Sequence, residues 1–360
     1  MHNSESISNT PIAKPRMEWL DAMRGFTMIL VVAYHVAQIT FMQNEKTSSS
    51  LPFLVLFRMP LFFFVSGFLA YKSEWIWTVS SFFSLVWKKV KIQVLPAFVF
   101  LCVLIVLKRD TPFLDTLFHA LKLPTKSGYW FTWVLLQMFI IYYIAAIVAQ
   151  RLKSNLPIWL LWLLCLLGYL SLYMPREFGK WYKTDFMMYS SFYETLKFMH
   201  FFVVGNLVHR YWPQVLRLFR SKWLYPLLTL MAFFSCADIF KLHLFQWEWT
   251  NLPRTLAMYS LMFMVVMFFN YYQDSFTKST RIGRGLQYIG VRTLDIYLLH
   301  FILLPRLPMV GAFLDKYHPN FLLDVLLAIS LALIVIVACC LVSNILRVSP
   351  VFKEYLFGRK

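Results

Sequence analysis

Charged residues are scarce in this 360-residue chain, at 14% of the total, and acidic residues are scarcer still, with 17 against 35 lysines and arginines. A soluble domain carries about 25% charged residues, so a soluble enzyme is disfavoured. Intrinsic disorder needs low hydrophobicity and a high charge density, which a 59% apolar chain does not have. The sequence also lacks a glycine-rich phosphate-binding loop. These absences leave a polytopic, all-α membrane protein as the expected class.

Cysteine is rare as well, with five residues in 360. All five lie in apolar segments and form no CxxC motif: Cys102, Cys165, Cys236, Cys339 and Cys340. They are expected to be small core or lipid-facing residues. Histidine, cysteine and aspartate do not cluster at metal-ligand spacing, so no metal and no permanently bound cofactor is expected.

What the sequence has instead is a series of long apolar segments. A membrane helix needs about 20 mostly apolar residues. By that criterion about ten spans are predicted, near residues 19–41, 52–71, 90–107, 129–150, 156–174, 195–211, 223–240, 254–272, 286–304 and 322–346. The sixth has the weakest signal, and the first is too long and too polar for a cleavable signal peptide.

The basic excess, a net charge of +18, is concentrated in the loops on the side of the two termini. By the positive-inside rule, both termini are predicted to be cytoplasmic. This topology accounts for most of the charge, so no nucleic-acid partner is expected. Membrane lipids are expected to surround the protein as partners. The predicted domains are a disordered cytoplasmic tail at 1–16, a ten-helix membrane domain at 17–348 and a basic cytoplasmic tail at 349–360.

An ionisable group inside a membrane span is costly and suggests a functional site. In the first span Asp21 and Arg24 are three residues apart and can pair. Arg24 and His35 are eleven apart, so they share a helix face about 16 Å apart along the axis. The alternatives are an interfacial ion pair for Asp21–Arg24 and a buried histidine bonded to a carbonyl for His35.

Two further spans carry such groups. Arg58 lies in the outer half of the second span, where snorkelling to the interface is the alternative. In the ninth span Arg292 and Asp295 can pair, while Tyr297 and His300 share a face. The fourth and sixth spans begin on the outer side with polar or indole groups: Trp130, Trp133, Glu194 and His200. A similar depth is expected for these groups, but a shared cavity does not follow from the sequence.

Several of these segments, in this order, resemble the acyltransferase-3 family of integral membrane acyltransferases. They are residues 20–25 (LDAMRG) with Tyr34-His35, 58–63 (RMPLFF) with 66–68 (SGF), 130–133 (WFTW), 201–205 (FFVVG) and 296–301 (IYLLHF). Each is weak alone, and together they cover most of the chain.

The resemblance implies ten helices with cytoplasmic termini and transfer of an acyl group, usually acetyl, from a coenzyme-A thioester to a carbohydrate or lipid-linked acceptor. It implies that Arg24 and His35 are the essential pair. The family's basic cluster at the third helix is usually arginine-rich, whereas here it is Lys88, Lys89 and Lys91. Lysine keeps the charge but loses the bidentate phosphate contact.

These residues suggest a mechanism. Arg24 and the three lysines would hold the phosphate end of acyl-coenzyme A at the cytoplasmic face. Neutral His35 would act as general base on an acceptor hydroxyl, or would be acylated transiently. The candidates to position the acceptor or stabilise the oxyanion are Arg58, Trp130, Tyr297 and His300.

Two other functions fit the composition. A transporter or flippase of a glycan or lipid-linked intermediate is the main alternative, although no inverted repeat or paired broken helices are visible. A structural scaffold is disfavoured by the buried ionisable groups. The family resemblance places the chain in a bacterial inner membrane; acceptor, acyl group and oligomeric state cannot be read from the sequence.

Overall fold

The computed structural model describes residues 17–73, 75–108, 112–173, 182–237, 251–349 and 352, and these residues form helices and loops without a strand. The predicted tail at 1–16 and nearly all of the one at 349–360 lie outside the described residues.

The described part of the chain forms sixteen α-helices. They are α1 (Glu18–His35), α2 (Leu51–Ala70), α3 (Val79–Lys89), α4 (Leu95–Lys108), α5 (Phe113–Lys122), α6 (Trp130–Arg151), α7 (Leu156–Ser171), α8 (Asp185–Tyr189), α9 (Phe192–Arg210), α10 (Trp212–Phe219), α11 (Leu224–Ala237), α12 (Asn251–Tyr271), α13 (Arg281–Val291), α14 (Thr293–Leu303), α15 (Pro308–Lys316) and α16 (Phe321–Leu346).

Within the described ranges, six helical segments are long and apolar enough to cross a membrane. They are Glu18–Thr40, Leu51–Ala70, Val79–Leu107, Trp130–Arg151, Leu252–Tyr271 and Phe321–Leu346. Helices α14 and α15, which meet at 91°, would make a seventh if they cross as one unit. The apolar helix α7 is shorter, at 16 residues. The chain is therefore a multi-pass membrane protein, while the count of ten and the common side of both termini stay predictions.

The third span differs from its predicted bounds. Its helix begins at Val79, eleven residues before the predicted start, because Thr78 caps it. The Thr78 hydroxyl accepts a hydrogen bond from the backbone N–H of Ser81, and the Ser81 hydroxyl accepts one from the backbone N–H of Thr78. A π-helical turn, Val90–Val94, joins α3 to α4. The lysine cluster predicted to open the span therefore lies in the middle of a longer helix.

The ninth span is interrupted. Arg292 has a non-helical backbone (φ −108°, ψ 14°) and separates α13 from α14. After Leu303 the chain passes through Pro305 and turns sharply into α15, because proline lacks the N–H that would continue a helix. The predicted continuous helix over 286–304 is wrong in this respect.

Two close helix crossings hold the centre of the bundle together. At the crossing of α1 and α13, a Cβ on Gly25 would meet the Leu286 carbonyl and one on Gly290 the Asp21 carbonyl. At the crossing of α2 and α9, Gly67 and Gly205 lie just as close to facing carbonyls. Small residues allow such contact where lipid gives no hydrophobic force between helices. Helix α1 also packs on α2, α14 and α16, so its polar face is enclosed by the bundle.

Candidate active site

Helices α1 and α14 meet at two levels. Near the start of α1, the Nη2 of Arg24 donates to the Thr293 hydroxyl at 3.1 Å. At the end of α1, the rings of His35 and His300 lie 5.3 Å apart, centroid to centroid. Thr293, Tyr297 and His300 follow one face of α14, since they are spaced four and three residues apart. The two predicted ends of the site are thus joined by one helix face.

The outer cluster consists of His35, His300, Arg58, Tyr34 and Phe301. The Phe301 ring lies 4.8 Å from that of His35. The Arg58 guanidinium lies 3.6 Å from the centre of the Tyr34 ring, and both Arg58 and His300 act on His35 electrostatically. Aromatic faces stabilise a cation without neutralising it, so Arg58 keeps its charge beside the histidine pair.

Three buried polar atoms of this cluster have no hydrogen-bond partner among the described residues. They are the Nδ1 of His35, the Nε2 of His300 and the Nε of Arg58. The Nδ1 of His300 lies 2.8 Å from the Tyr297 carbonyl, which can only accept, so Nδ1 carries the proton. An unsatisfied buried polar group costs free energy, which favours a polar ligand at this end of α1.

A cavity of about 330 Å³ lies at the other end. We call it the donor cavity because Arg24, Lys88 and Lys89, which the sequence predicts to bind the donor, line it. Its polar lining residues come from α1, α2, α3, α6 and α14 and the segments after α2 and α3: Arg24, Ser66, Lys72, Lys88, Lys89, Gln93, Thr132, Tyr143, Thr293 and Tyr297. Its apolar lining includes Phe62, Phe131 and Phe139. Tyr297 brings the cavity to within one helical turn of His300, whose ring lies 6.0 Å from that of Tyr297.

The donor cavity is electropositive. Lys72, Lys88 and Arg24 all act on the Lys89 ammonium, which lies 3.8 Å from the centre of the Phe139 ring. Among the described residues, the three lysines form no ion pair, while Arg24 pairs with Asp21 at 3.3 Å. Lys91 lies apart, over the Trp87 ring, and does not line the cavity. Four converging cations indicate an anionic ligand.

Two residues predicted to position the acceptor, Tyr297 and Trp130, are engaged in contacts within the fold. The Tyr297 hydroxyl accepts from the Phe131 N–H at 3.2 Å and donates to the Gly128 carbonyl at 3.0 Å. Trp130 stacks on Phe198 with 5.9 Å between ring centroids. Tyr297 therefore fixes the loop before α6 against α14, and Trp130 packs among phenylalanines rather than beside His35.

The ion pair predicted between Arg292 and Asp295 is replaced by another. Asp295 pairs with Arg347 at 2.7 Å and accepts from the Ser343 hydroxyl at 2.7 Å, both near the end of α16. Arg292 instead lies over the Tyr288 ring. The helical three-residue spacing that suggested pairing is lost because the helix breaks at Arg292.

His200 does not join the outer cluster. Its Nδ1 lies 2.7 Å from the Tyr259 hydroxyl, which also accepts from the Trp162 indole at 3.3 Å. It thus contacts α12 and α7, and its predicted depth did not bring it to His35.

Sequence reasoning missed Thr293 and Lys72, which lie within the donor cavity. It also missed two π-helical turns, Val36–Thr40 directly after His35 and Val90–Val94 directly after Lys89. Such turns are frequent at functional sites. Thr293 was detectable, since it precedes Tyr297 by four residues on the same helix face; the π-helical turns leave no comparable mark in the sequence.

The family model for an acyltransferase domain, the acyltransferase-3 type, matches residues 17–344. The chain belongs to the acyltransferase-3 family. No curated protein and no solved structure matches it. Membership makes this multi-pass membrane protein an acyltransferase, and the match includes the donor cavity and the outer cluster of α1 and α14.

Proposed function

We propose that this acyltransferase moves an acyl group, acetyl in the first instance, from a cytoplasmic coenzyme-A thioester to a hydroxyl of an envelope or lipid-linked carbohydrate. One observation carries the proposal: the electropositive donor cavity is lined by Tyr297, one helical turn from His300, whose ring lies 5.3 Å from that of His35. Arg24, Lys88 and Lys89 would bind the anionic donor. Lys91 is left out of the donor site because it does not line the cavity.

The lining of the donor cavity supports a donor that joins a charged end to an uncharged arm. It combines four cations and Gln93 with apolar side chains such as Phe62, Phe131 and Leu135. A pantetheine arm is uncharged and narrow, so it suits aromatic walls better than a phosphate does. Along α14 the arm would carry the thioester from Arg24 towards His35.

In this scheme His35 accepts the proton of the acceptor hydroxyl as the oxygen attacks the thioester carbonyl. The carbon–sulfur bond then breaks, and the coenzyme-A thiolate takes the proton back from His35. Arg58 is placed to stabilise the oxyanion, since its Nε has no acceptor among the described residues. His300 positions the His35 ring. In the two-step variant of this scheme, a ring nitrogen of His35 attacks the thioester carbonyl and the coenzyme-A thiolate leaves. The acceptor oxygen then takes the acyl group from His35, and the hydroxyl proton goes to the thiolate.

Topology extends the proposal. Ten crossings with both termini in the cytoplasm of a bacterial cell would put the donor cavity at the cytoplasmic face and His35 in the outer half of the inner membrane. The acceptor would then be a glycan presented from the outer side. This arrangement would let a cytoplasmic donor modify an external carbohydrate.

The test compares envelope glycans by mass spectrometry from cells that express the wild type, His35→Ala or His200→Ala. We expect acetylated glycan with the wild type and His200→Ala and none with His35→Ala at equal membrane levels of all three. Full acetylation by His35→Ala would refute the assigned base, and unacetylated glycan with the wild type would refute this acceptor class.

One observation favours a flippase as a second candidate. The break at Arg292 and the 91° bend between α14 and α15 make a discontinuous helix, and discontinuous helices line transport sites in many carriers. Purified protein with labelled acetyl-coenzyme A separates the two functions. Protein-dependent thioester consumption supports the transferase, whereas movement of a labelled lipid-linked glycan across vesicles without it supports the flippase.

A further inference from the structure

A second cavity, of about 260 Å³, adjoins the donor cavity and shares Lys72 and Trp77 with it. It is lined by the segment after α2, the end of α6, the following turn and Arg210 at the end of α9. We call it the polar cavity. The sequence predicted neither this cavity nor a binding role for the cations that line it.

Three cations line the polar cavity, namely Lys72, Lys153 and Arg210, and its described lining contains no acidic residue. The Arg210 guanidinium is held by neutral groups. Its Nη1 donates to the Asn155 amide oxygen at 2.7 Å, and the Tyr71 ring lies 4.6 Å away. Its Nε is buried without an acceptor among the described residues. Arg210 is therefore positioned by its neighbours while its charge stays available to an anion.

Two tryptophans complete the wall. Trp75 is 38% exposed, and the Lys72 ammonium lies 4.5 Å from the centre of its ring. Trp77 is tied to α6, because its backbone N–H donates to the Gln150 side chain at 2.7 Å. An exposed indole next to cations is suited to stack a base whose phosphates those cations bind.

We propose that the polar cavity binds the 3′-phosphorylated adenosine diphosphate end of the donor, with Arg210, Lys153 and Lys72 at the phosphates and Trp75 against the adenine. This inference rests on the proposed acyl-coenzyme-A donor. Lys72 stands at the junction of the two cavities. The diphosphate would lie at this junction, between the cations of the polar cavity and Lys88 and Lys89 of the donor cavity, and the uncharged arm would run on from it through the donor cavity.

Both cavities carry cations, and their remaining lining supports this orientation, because Phe62, Phe131 and Leu135 line only the donor cavity. Phosphates are strongly hydrated and need several donors, which the amides and cations of the polar cavity provide. The reverse orientation would place the uncharged arm among the cations and amides of the polar cavity. It would also leave the thioester beside Arg210 instead of beside Tyr297, which lines the donor cavity one helical turn from His300.

The experiment measures KM for acetyl-coenzyme A and for acetyl-pantetheine, which lacks the nucleotide, as protein-dependent thioester consumption by purified full-length protein. Lys153→Gln and Arg210→Gln are compared with Arg151→Gln, a matched control at the same end of α6 that lines neither cavity. Each test variant is expected to raise the KM for acetyl-coenzyme A about tenfold, as one lost charge-assisted contact would. The KM for acetyl-pantetheine should stay within twofold, and Arg151→Gln should change neither.

Equal KM values of the wild type for the two donors would overturn the inference and leave the proposed function standing. So would Lys153→Gln and Arg210→Gln variants that raise both KM values alike. Lys153 is exposed, so its variant is expected to fold even if Arg210→Gln does not. A wild type that consumes neither thioester overturns the proposed function, and this inference falls with it.

Discussion

His35 and His200 are both histidines inside apolar helices, and from the sequence they look alike. Their surroundings differ. His200 has the Tyr259 hydroxyl 2.7 Å from Nδ1, and its Nε2 has no partner among the described residues. His35 has Arg58 and His300 beside it and an Nδ1 without a partner among the described residues. The difference teaches that a membrane histidine is assigned by its neighbours, because each ring has a nitrogen without a partner among the described residues and only His35 has a second histidine 5.3 Å away.

The largest expected effect is on the outer cluster. His35→Ala should lower kcat for acyl transfer by about 10²- to 10⁴-fold, the usual contribution of a general base. His200→Ala should keep kcat within a few-fold. Thioester consumption by purified protein measures both, with elution as a single species in detergent as the folding control. Equal losses in the two variants would break the comparison.

The next effect concerns the support of α14, which carries His300. Asp295→Ala removes the buried carboxylate that accepts from the half-buried Arg347 and from Ser343, and it should lower the free energy of unfolding by about 2 kcal/mol. Thermal unfolding in detergent measures this loss. The folded fraction should keep near-normal kcat. A large fall in kcat with unchanged stability would instead give Asp295 a role in chemistry.

The donor cavity gives a smaller effect on binding. The double change Lys88→Gln with Lys89→Gln should raise the KM for acetyl-coenzyme A about tenfold, since it removes two cations from the cavity. Lys91→Gln, the matched control in the same basic cluster, should leave KM unchanged because Lys91 does not line the cavity. Similar KM changes in both variants would return Lys91 to the donor site.

The smallest effect is on stability at His200. His200→Leu removes one buried hydrogen bond to Tyr259 and should lower the free energy of unfolding by about 1 kcal/mol, because Trp162 still donates to the Tyr259 hydroxyl. Thermal unfolding measures it beside the kcat of the same preparation. A kcat loss without a stability loss would place His200 with His35 and erase the contrast.

The sequence predicted much of this architecture. Apolar length located the helices, and the i, i+3 spacing of Asp21 and Arg24 predicted a pair that the structure contains at 3.3 Å. The same spacing rule failed for Arg292 and Asp295, since it assumes a continuous helix. A similar depth along their spans was predicted for His200, Trp130 and His35, but equal depth does not determine which helices are neighbours, and His200 and Trp130 lie outside the outer cluster.

By itself, then, the sequence determined the membrane class, the helical faces of α1 and α14 and the family, because these depend on composition and on spacing within one segment. Only the tertiary structure decided which lysines share a cavity, which histidine meets Arg58, and that Arg210 and Lys153 lie beside the donor cavity. Contacts between segments far apart in the chain depend on how the helices pack, and at α1–α13 and α2–α9 that packing is set by glycines at Gly25, Gly67, Gly205 and Gly290.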